Sequence, residues 1–471
     1  MKCDSACNRN AGSTAAIILA VAVLASSAFP AVTGAAGWDA GVATVVITPQ
    51  EPTWMAGYGS RDKPSEGTYH DLWVKALALR DPDGNRAVIV TADLIGIMLD
   101  FSNNVASEIE RKYGIPRGAI LLNTSHTHCG PEVRKPKKDF YNGLTADDRA
   151  RIDTYADWLE TKYVEVISNA LDTMKPSVVE FTTASPTPFA VNRRRPTPEG
   201  IVYRSGPSSY YTGGPRDDVM PVMTVSDING TVRAILFGYA CHPITLNIYQ
   251  FCGDYPGFAQ RYIEEAYPGA TALFVQGCAG QLVPNARYQI EYAMGHGRSL
   301  ADAVKEAVDG ERVPVTWPIR CAYEDVTLAF QPLPPRNELE ATAASGNSTE
   351  SRHARLILER IDRGETIDTT MPCPVQAIRF GDDLLLVGLC GEPVAEYAVK
   401  IKSTYLTHKY VWVAGYCTYE FGYLPTWNVW REGGYEAGGA LLNTHFPGPF
   451  AGDVEKRVLD GVDRLVRGIT P

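Results

Sequence analysis

The sequence predicts an α/β protein in which mixed β-sheets are layered with helices in a single domain. Short β-branched runs are joined by tight turns, as at Asp81-Pro82-Asp83-Gly84 and Asp227-Ile228-Asn229-Gly230, and these patterns indicate β-hairpins. Amphipathic segments separate the hairpins, the longest from about Thr145 to Met174. Because strand and helix patterns alternate along the chain, the sequence argues against an all-α or all-β fold.

The first 36 residues predict a secretory signal peptide. Lys2 and Arg9 precede an apolar segment, Ala15 to Phe29, and small residues follow as far as Ala36. The apolar segment is too short to span a membrane comfortably, and no second long apolar run follows it. We therefore expect an exported protein, secreted or periplasmic, whose mature chain is residues 37–471 and has no transmembrane segment.

The net charge of the chain limits its classes of partner, and its cysteine content bears on disulfide formation. The formal net charge is −10 and the chain has no basic arm, which argues against a nucleic-acid partner. Eight cysteines follow the predicted signal peptide, and an even number in an exported chain predicts some disulfides without giving their pairing. The sequence does not indicate an oligomeric state.

The first predicted elements are strands. Gly41 to Thr48 is a β-branched strand, and Lys75 to Arg80 pairs with Ala87 to Thr91 across the first turn. Ser102 is placed to cap a helix that ends near Gly114.

The stretch from Asn123 to Pro131 is the strongest functional motif. It follows an apolar run typical of a buried strand and ends in Gly-Pro, which stops regular structure. Residues two apart in an extended chain point to the same side, so His126 and His128 can face one site. Paired imidazoles at a strand end favour a metal such as catalytic zinc. Two histidines satisfied by ordinary hydrogen bonds are the alternative.

Later strand ends supply further candidates. A hairpin delivers His242, and an apolar strand delivers Glu392. The run Arg193-Arg194-Arg195 cannot lie on one face, so one guanidinium is solvated while another can reach a substrate oxygen. The glycine-rich loop at 276–285 either binds an oxyanion through its N–H groups or is a plain tight connection.

Ligand histidines need acceptors for their second N–H group. The candidates that the sequence offers are Asp71, Asp93 and Asp254.

Taken in order, these motifs resemble the neutral/alkaline non-lysosomal ceramidase family, specifically its N-terminal catalytic domain. The resemblance covers roughly residues 38–471. It rests on Met55-Ala56-Gly57-Tyr58, Ser125-His126-Thr127-His128 with Gly130-Pro131, Asn192-Arg193, His242, Gly253-Asp254 with Gly257, the Gly280 to Asn285 loop, Gly391-Glu392, and the pair Tyr423 and Tyr435.

The resemblance implies a hydrolase that uses Zn²⁺ to cleave an amide or related acyl bond. The ligands it implies are His126, His242, Glu392 and Tyr423. The residues it places against the substrate or transition state are His128, Arg193 and Tyr435. Tyr416 and Tyr419 are nearby alternatives to Tyr423. Zinc lowers the pKa of bound water to about 7, which suits hydrolysis at neutral pH.

Two departures from the family bear on the substrate. Family members carry a serine in a Gly-Asp-x-Ser-Pro-Asn loop, where this chain has Gln281 in place of the aspartate and Val283 in place of the serine. They also carry a C-terminal β-sandwich domain, which we do not expect here. Both departures argue against ceramide itself and favour a smaller or more polar substrate.

Two alternative functions stay open, and the substrate is a small molecule, a lipid or a glycan. The first alternative is a zinc-dependent carbohydrate hydrolase (a glycosidase) on the same fold, with Trp427, Trp430, Tyr210 and Tyr211 stacking on sugars. The second is a catalytically inactive binding protein, suggested by Val283. A deep apolar pocket would favour an acyl chain, and an open polar cleft a sugar.

Overall fold

The computed structural model describes residues 37–141, 143–203 and 213–470, so the predicted signal peptide lies outside the described residues. The strands, numbered in chain order, are Trp38–Val46 (β1), Gly67–Thr68 (β2), Trp73–Arg80 (β3), Arg86–Ala92 (β4), Ile120–Thr124 (β5), Lys175–Ala184 (β6), Ala190–Asn192 (β7), Arg194–Thr197 (β8), Gly200–Tyr203 (β9), Met220–Asp227 (β10), Val232–Tyr239 (β11), Gln250–Phe251 (β12), Thr271–Gln276 (β13), Leu282–Pro284 (β14), Val313–Pro314 (β15), Ile319–Ala329 (β16), Thr370–Phe380 (β17), Leu384–Leu389 (β18), Glu392–Pro393 (β19), Tyr410–Ala414 (β20) and Tyr423–Leu424 (β21). The helices are Leu99–Tyr113 (α1), Ala146–Asp172 (α2), Asp254–Ala266 (α3), Ile290–Asp309 (α4), Arg336–Ala344 (α5), Thr349–Asp362 (α6), Glu396–Thr404 (α7), Trp427–Glu432 (α8) and Val454–Ile469 (α9).

Two mixed sheets form the centre of the fold. The larger has nine strands in the order β13-β11-β10-β6-β1-β3-β4-β5, with β15 also paired to β6. The smaller has the order β16-β17-β18-β20. Most neighbours are antiparallel, but β4 with β5, β11 with β13, and β18 with β20 are parallel. The predicted mixed α/β fold is confirmed.

The two sheets pack face to face, and helices cover their outer faces. One core cluster joins side chains of both sheets, such as Leu77 and Leu236 of the larger with Ile378 and Trp412 of the smaller. Helices α2, α3 and α4 pack on the larger sheet, and α7 and α9 on the smaller. The result is four layers, helix, sheet, sheet and helix, with the apolar faces buried between them.

The two predicted hairpins form β3–β4 and β10–β11. Thr145 caps α2, accepting from the N–H of Asp148 at 3.1 Å, and the Asp148 carboxylate bonds back to Thr145 in a capping box. The predicted cap at Ser102 is wrong, because α1 begins at Leu99. The Ser102 hydroxyl lies inside the first turn and bonds the Thr418 carbonyl. None of the helices described is long and apolar enough to cross a membrane.

Candidate metal centre

The ends of four strands are tied together beside the predicted metal ligands. The side-chain amide of Asn123, in β5, donates to the Gly415 carbonyl at 2.7 Å and accepts from the Gln276 N–H at 2.9 Å. The Gly415 N–H donates to the Gln276 carbonyl at 3.0 Å, and the Tyr416 N–H to the Gly391 carbonyl at 3.1 Å. These bonds join the ends of β5, β13, β18 and β20, so residues distant in sequence meet at one edge of the double sheet.

Backbone carbonyls set the orientation of His126 and His242. The two Nδ1 atoms lie 2.6 Å from the Ile95 carbonyl and 2.7 Å from the Ala279 carbonyl. Since a carbonyl only accepts, each Nδ1 carries its proton, and the Nε2 of a neutral ring presents a lone pair. The predicted carboxylate acceptors are therefore wrong.

Each of those three aspartates is engaged elsewhere. Asp71 accepts from the Thr48 hydroxyl, Asp93 from the Trp73 N–H, and Asp254 from the Leu246 N–H.

The two Nε2 atoms point at one carboxylate oxygen. Oε2 of Glu392 is 3.2 Å from Nε2 of His126 and 2.9 Å from Nε2 of His242. Glu392 and Tyr423 are register partners in the short parallel ladder of β19 and β21, which places their side chains together. The Tyr423 hydroxyl lies 3.3 Å from Nε2 of His242.

This arrangement fits a tetrahedral cation. Zn–N and Zn–O bonds of about 2.0–2.1 Å place neighbouring ligand atoms about 3.3 Å apart, close to the distances found here. Burial lowers the pKa of His242, which favours the neutral ligand form. Burial alone would raise the pKa of Glu392, but protons on His126 and His242, or a cation in their place, bring it well below its ordinary value. Two imidazole nitrogens this close to one carboxylate oxygen need protons or a cation between them.

His128 lies beside this group, and the ligand atoms of all three histidines are within 4.8 Å of one another. Its two ring nitrogens are buried without a hydrogen-bond partner among the described residues. Burial lowers its pKa well below the ordinary value, so the ring is neutral. Gly57 makes room for the ring: its φ is 99°, and a Cβ there would lie 2.6 Å from the imidazole.

Arg193 is held at the same place. Its Nε donates to Glu436 at 2.7 Å, and its terminal nitrogen donates to the Tyr423 hydroxyl at 2.9 Å and to the Gly280 carbonyl at 3.0 Å. The Tyr435 ring lies 5.2 Å from that of Tyr423 and is 45% exposed. The structure thus brings together all seven residues of the predicted site. Glu436, fully buried, is a support that sequence reasoning missed.

The two alternatives to Tyr423 have other positions. Tyr416 packs its ring 4.5 Å from that of His126, and its hydroxyl is buried without a partner among the described residues. Tyr419 lines a separate pocket. Of the three, only Tyr423 has its hydroxyl on a predicted ligand histidine among the hydrogen bonds described.

The cluster opens into a cavity of about 210 Å³, called here the metal cavity. It is lined by His126, His128, Glu392, Tyr423 and Tyr435, and by a wall of charged residues that sequence reasoning did not select. In that wall Arg134 bonds both carboxylate oxygens of Glu132, at 2.9 and 2.8 Å, and also pairs with Glu420. The only sequence trace of this wall is the polar stretch directly after the histidine motif.

The chain is similar to known proteins in sequence and in structure. No family model matches the chain. Neutral ceramidase A of Dictyostelium discoideum is 24% identical over 265 residues, 51% of this chain and 35% of that protein. Neutral ceramidase B of the same organism is 24% identical over 255 residues, 50% of this chain and 33% of that protein. The matched region therefore spans about a third of the length of these relatives.

Solved structures extend the match over most of the fold. The neutral ceramidase of Pseudomonas aeruginosa superposes with a TM-score of 0.68 at 17% identity, covering 90% of this chain and 73% of the other. A ceramidase complexed with C2 gives the same score and identity, with 91% and 76% covered. The chain is therefore similar in sequence to neutral ceramidases and has the fold of these two structures.

Val283 belongs to an apolar cluster. It is 2% exposed and packs with Val191 and Ile244, with Tyr58 at the edge. Gln281 is also structural: its amide accepts from the Ala395 N–H and donates to Glu396, both at 2.8 Å. The loop therefore supplies packing and backbone bonds, including the Leu282 carbonyl that accepts from the His242 N–H at 2.9 Å.

All eight cysteines of the described chain are free thiols in the structure. Cys373 and Cys390 lie with their sulfurs 2.7 Å apart, at buried positions of β17 and just beyond β18. Disulfide formation stays a prediction.

Proposed function

We propose that the chain is an exported zinc-dependent hydrolase that cleaves an amide or related acyl bond. The observation that supports it best is the convergence of two Nε2 lone pairs on the carboxylate of Glu392, beside the Tyr423 hydroxyl. Zn²⁺ would be held by His126, His242, Glu392 and Tyr423. When bound, zinc lowers the pKa of water to about 7 and polarises a carbonyl oxygen.

The remaining residues of the site each have a separate role in hydrolysis. His128 is neutral and both its nitrogens are free of described partners, so it can take a proton from the attacking water and return it to the leaving nitrogen. Arg193, fixed by Glu436, stabilises negative charge on the scissile carbonyl oxygen, and Tyr435 covers the mouth of the cavity. The acyl carbon gains a C–O bond, the C–N bond breaks, and the amine nitrogen takes the proton.

The surroundings favour an acyl substrate over a sugar. Trp427 and Trp430 stack on each other, ring centroids 5.0 Å apart, and neither lines the metal cavity. Tyr210 and Tyr211 lie outside the described residues. An apolar pocket of about 210 Å³ adjoins the metal cavity and suits an acyl chain. A catalytically inactive binding protein is the interpretation that absence of turnover would support.

The test is zinc content and turnover of the purified mature protein. We expect about one zinc per chain in the wild type, lost in His126→Ala and His242→Ala. His296→Ala is the matched control, because that ring bonds the Ala286 carbonyl and stacks on Phe189 away from the site. It should retain zinc. A wild type that binds no zinc after incubation with it contradicts the proposal.

A further inference from the structure

The metal cavity and the apolar pocket share a wall. The residues that line both are Arg134, Lys137, Phe140, Glu420, Phe421 and Thr444. The rest of the apolar pocket comes mainly from large apolar side chains such as Met98, Tyr419 and Phe446. A molecule that fills both spaces must therefore pass this shared wall.

The two positively charged side chains of the wall, Arg134 and Lys137, differ in whether carboxylates pair with them. Arg134 is buried and fully engaged by Glu132 and Glu420. Lys137 has no carboxylate within ion-pair distance among the described residues. Its ammonium donates to the Asn443 carbonyl at 2.9 Å and lies 5.7 Å from the Phe140 ring.

Lys137 also differs from its neighbours on the same turn. Lys135 pairs with Asp157, and Lys138 pairs with Asp153 at the edge of α2. Lys137 is half-buried, and burial followed by the charge of Arg134 lowers its pKa against smaller opposing effects of Glu420, Glu132 and Glu392. A partly desolvated ammonium that faces the metal cavity and has no carboxylate of the described residues in direct contact is a site for an anionic group of a ligand.

We propose that the substrate is an anionic amide, an N-acyl amino acid, whose carboxylate binds Lys137. The apolar pocket takes the acyl chain, and the amide lies against the metal cluster. The pocket volume is below the roughly 300 Å³ at which pockets for drug-sized ligands begin, so the chain is short or of medium length. A neutral amide of the same size leaves Lys137 uncompensated. The inference rests on the proposed function for the reaction and on Lys137 for the choice of substrate.

The experiment compares N-octanoylglycine with N-octanoylglycinamide, in which a neutral carboxamide replaces the carboxylate, and scores hydrolysis by release of octanoate. Binding to metal-free wild type is measured by calorimetry, and hydrolysis is measured with zinc present. We expect N-octanoylglycine to bind roughly tenfold or more tightly, as a charge-assisted hydrogen bond predicts. Lys137→Met should remove this preference by weakening only the anionic probe. Lys135→Met, a lysine paired outside both cavities, should keep it.

The outcomes separate this inference from the proposed function. Equal binding and equal hydrolysis of the two probes by wild type overturns the anionic substrate and leaves the hydrolase standing. Hydrolysis of neither probe by the zinc-loaded protein counts against the proposed function, and the binding comparison still decides the role of Lys137. A preference that persists in Lys137→Met overturns the inference.

Discussion

Two features of Tyr416 are unfavourable for the free energy of folding. Its hydroxyl is buried without a hydrogen-bond partner among the described residues. Its backbone φ is 55°, in the left-handed region that bulky residues rarely adopt. The neighbouring His126 has a φ of 64°, so two residues with left-handed backbone lie together at the candidate metal centre. Strain of this kind indicates a position maintained for the site and not for stability.

Replacing Tyr416 with phenylalanine should therefore stabilise the metal-free protein. Loss of an unpaired buried hydroxyl relieves about 1 kcal/mol or more. Tyr163→Phe is the control, because that hydroxyl is also buried without a described partner, in the core beside Phe101. Urea unfolding should show both variants gaining stability, and only Tyr416→Phe should weaken zinc affinity or turnover. A loss of stability in Tyr416→Phe would mean that its hydroxyl has a partner.

Because the carboxyl of Asp254 is buried, we expect the stability of the fold to depend on pH. Burial raises the pKa of its carboxyl from an ordinary 3.8 to about 6. Between these values the folded protein binds more protons than the unfolded chain, so stability falls as the pH rises from about 4 to about 6. The total loss is on the order of 3 kcal/mol.

Asp254→Asn should remove this component, and asparagine tolerates the φ of 55° found there. The measurement is urea unfolding of the metal-free wild type and variant at pH 4 to 7. The difference in free energy of unfolding between variant and wild type should change across that range. The variant should become more stable relative to the wild type as the pH rises. A constant difference contradicts the assignment.

At the scale of elements, the end of β18 depends on Gly391. Its φ is 63°, and a Cβ there would lie 2.7 Å from the Phe421 ring and 2.8 Å from the Gly422 carbonyl. This close approach lets the Glu392 N–H donate to the Gly422 carbonyl at 2.8 Å and sets Glu392 beside Tyr423. One residue without a side chain thus positions two predicted ligands.

We expect Gly391→Ala to abolish zinc binding and to destabilise the fold. Gly364→Ala is the control, because its φ is 76° but a Cβ added there would have nothing within 4 Å of it among the described residues. The control should lose only the backbone cost, about 1–2 kcal/mol, and keep its zinc. Gly391→Ala should lose a further ~1–3 kcal/mol from the clash. Retention of zinc by Gly391→Ala would show that the ladder adjusts.

At the scale of the whole molecule, the site joins the two sheets. His126 and His242 follow β5 and β11 of the larger sheet, whereas Glu392 follows β18 of the smaller. A bound cation would therefore link segments that fold from opposite halves of the chain. Ligand binding to the folded state alone stabilises it by mass action.

Zinc should raise the apparent free energy of unfolding, by about 2.7 kcal/mol when free zinc is 100 times its Kd. A chelator should reverse the gain. The comparison is denaturant unfolding with zinc and with chelator, for wild type, His242→Ala and His296→Ala. His242→Ala should show no difference between the two conditions, and a wild type equally stable in both would count against a resident metal.

Much of this architecture could be predicted because its signals lie within short stretches of the sequence. The hairpins have recognisable turns, and His126, His242 and Glu392 each follow an apolar strand. The acceptors of the histidine N–H groups could not be predicted, because Ile95 and Ala279 act through carbonyls that every residue carries. The charged wall could not be predicted either, because only tertiary packing brings Arg134 and Glu420 into contact.

The apolar cluster around Val283 fits an apolar side chain at this loop position and not a serine. A serine there would leave space against Val191 and Ile244 and would bury a hydroxyl in an apolar setting. Its neighbours would have to change as well before the hydroxyl had room and a partner. A hydroxyl introduced by Val283→Ser alone would therefore cost stability and would have no partner within this cluster.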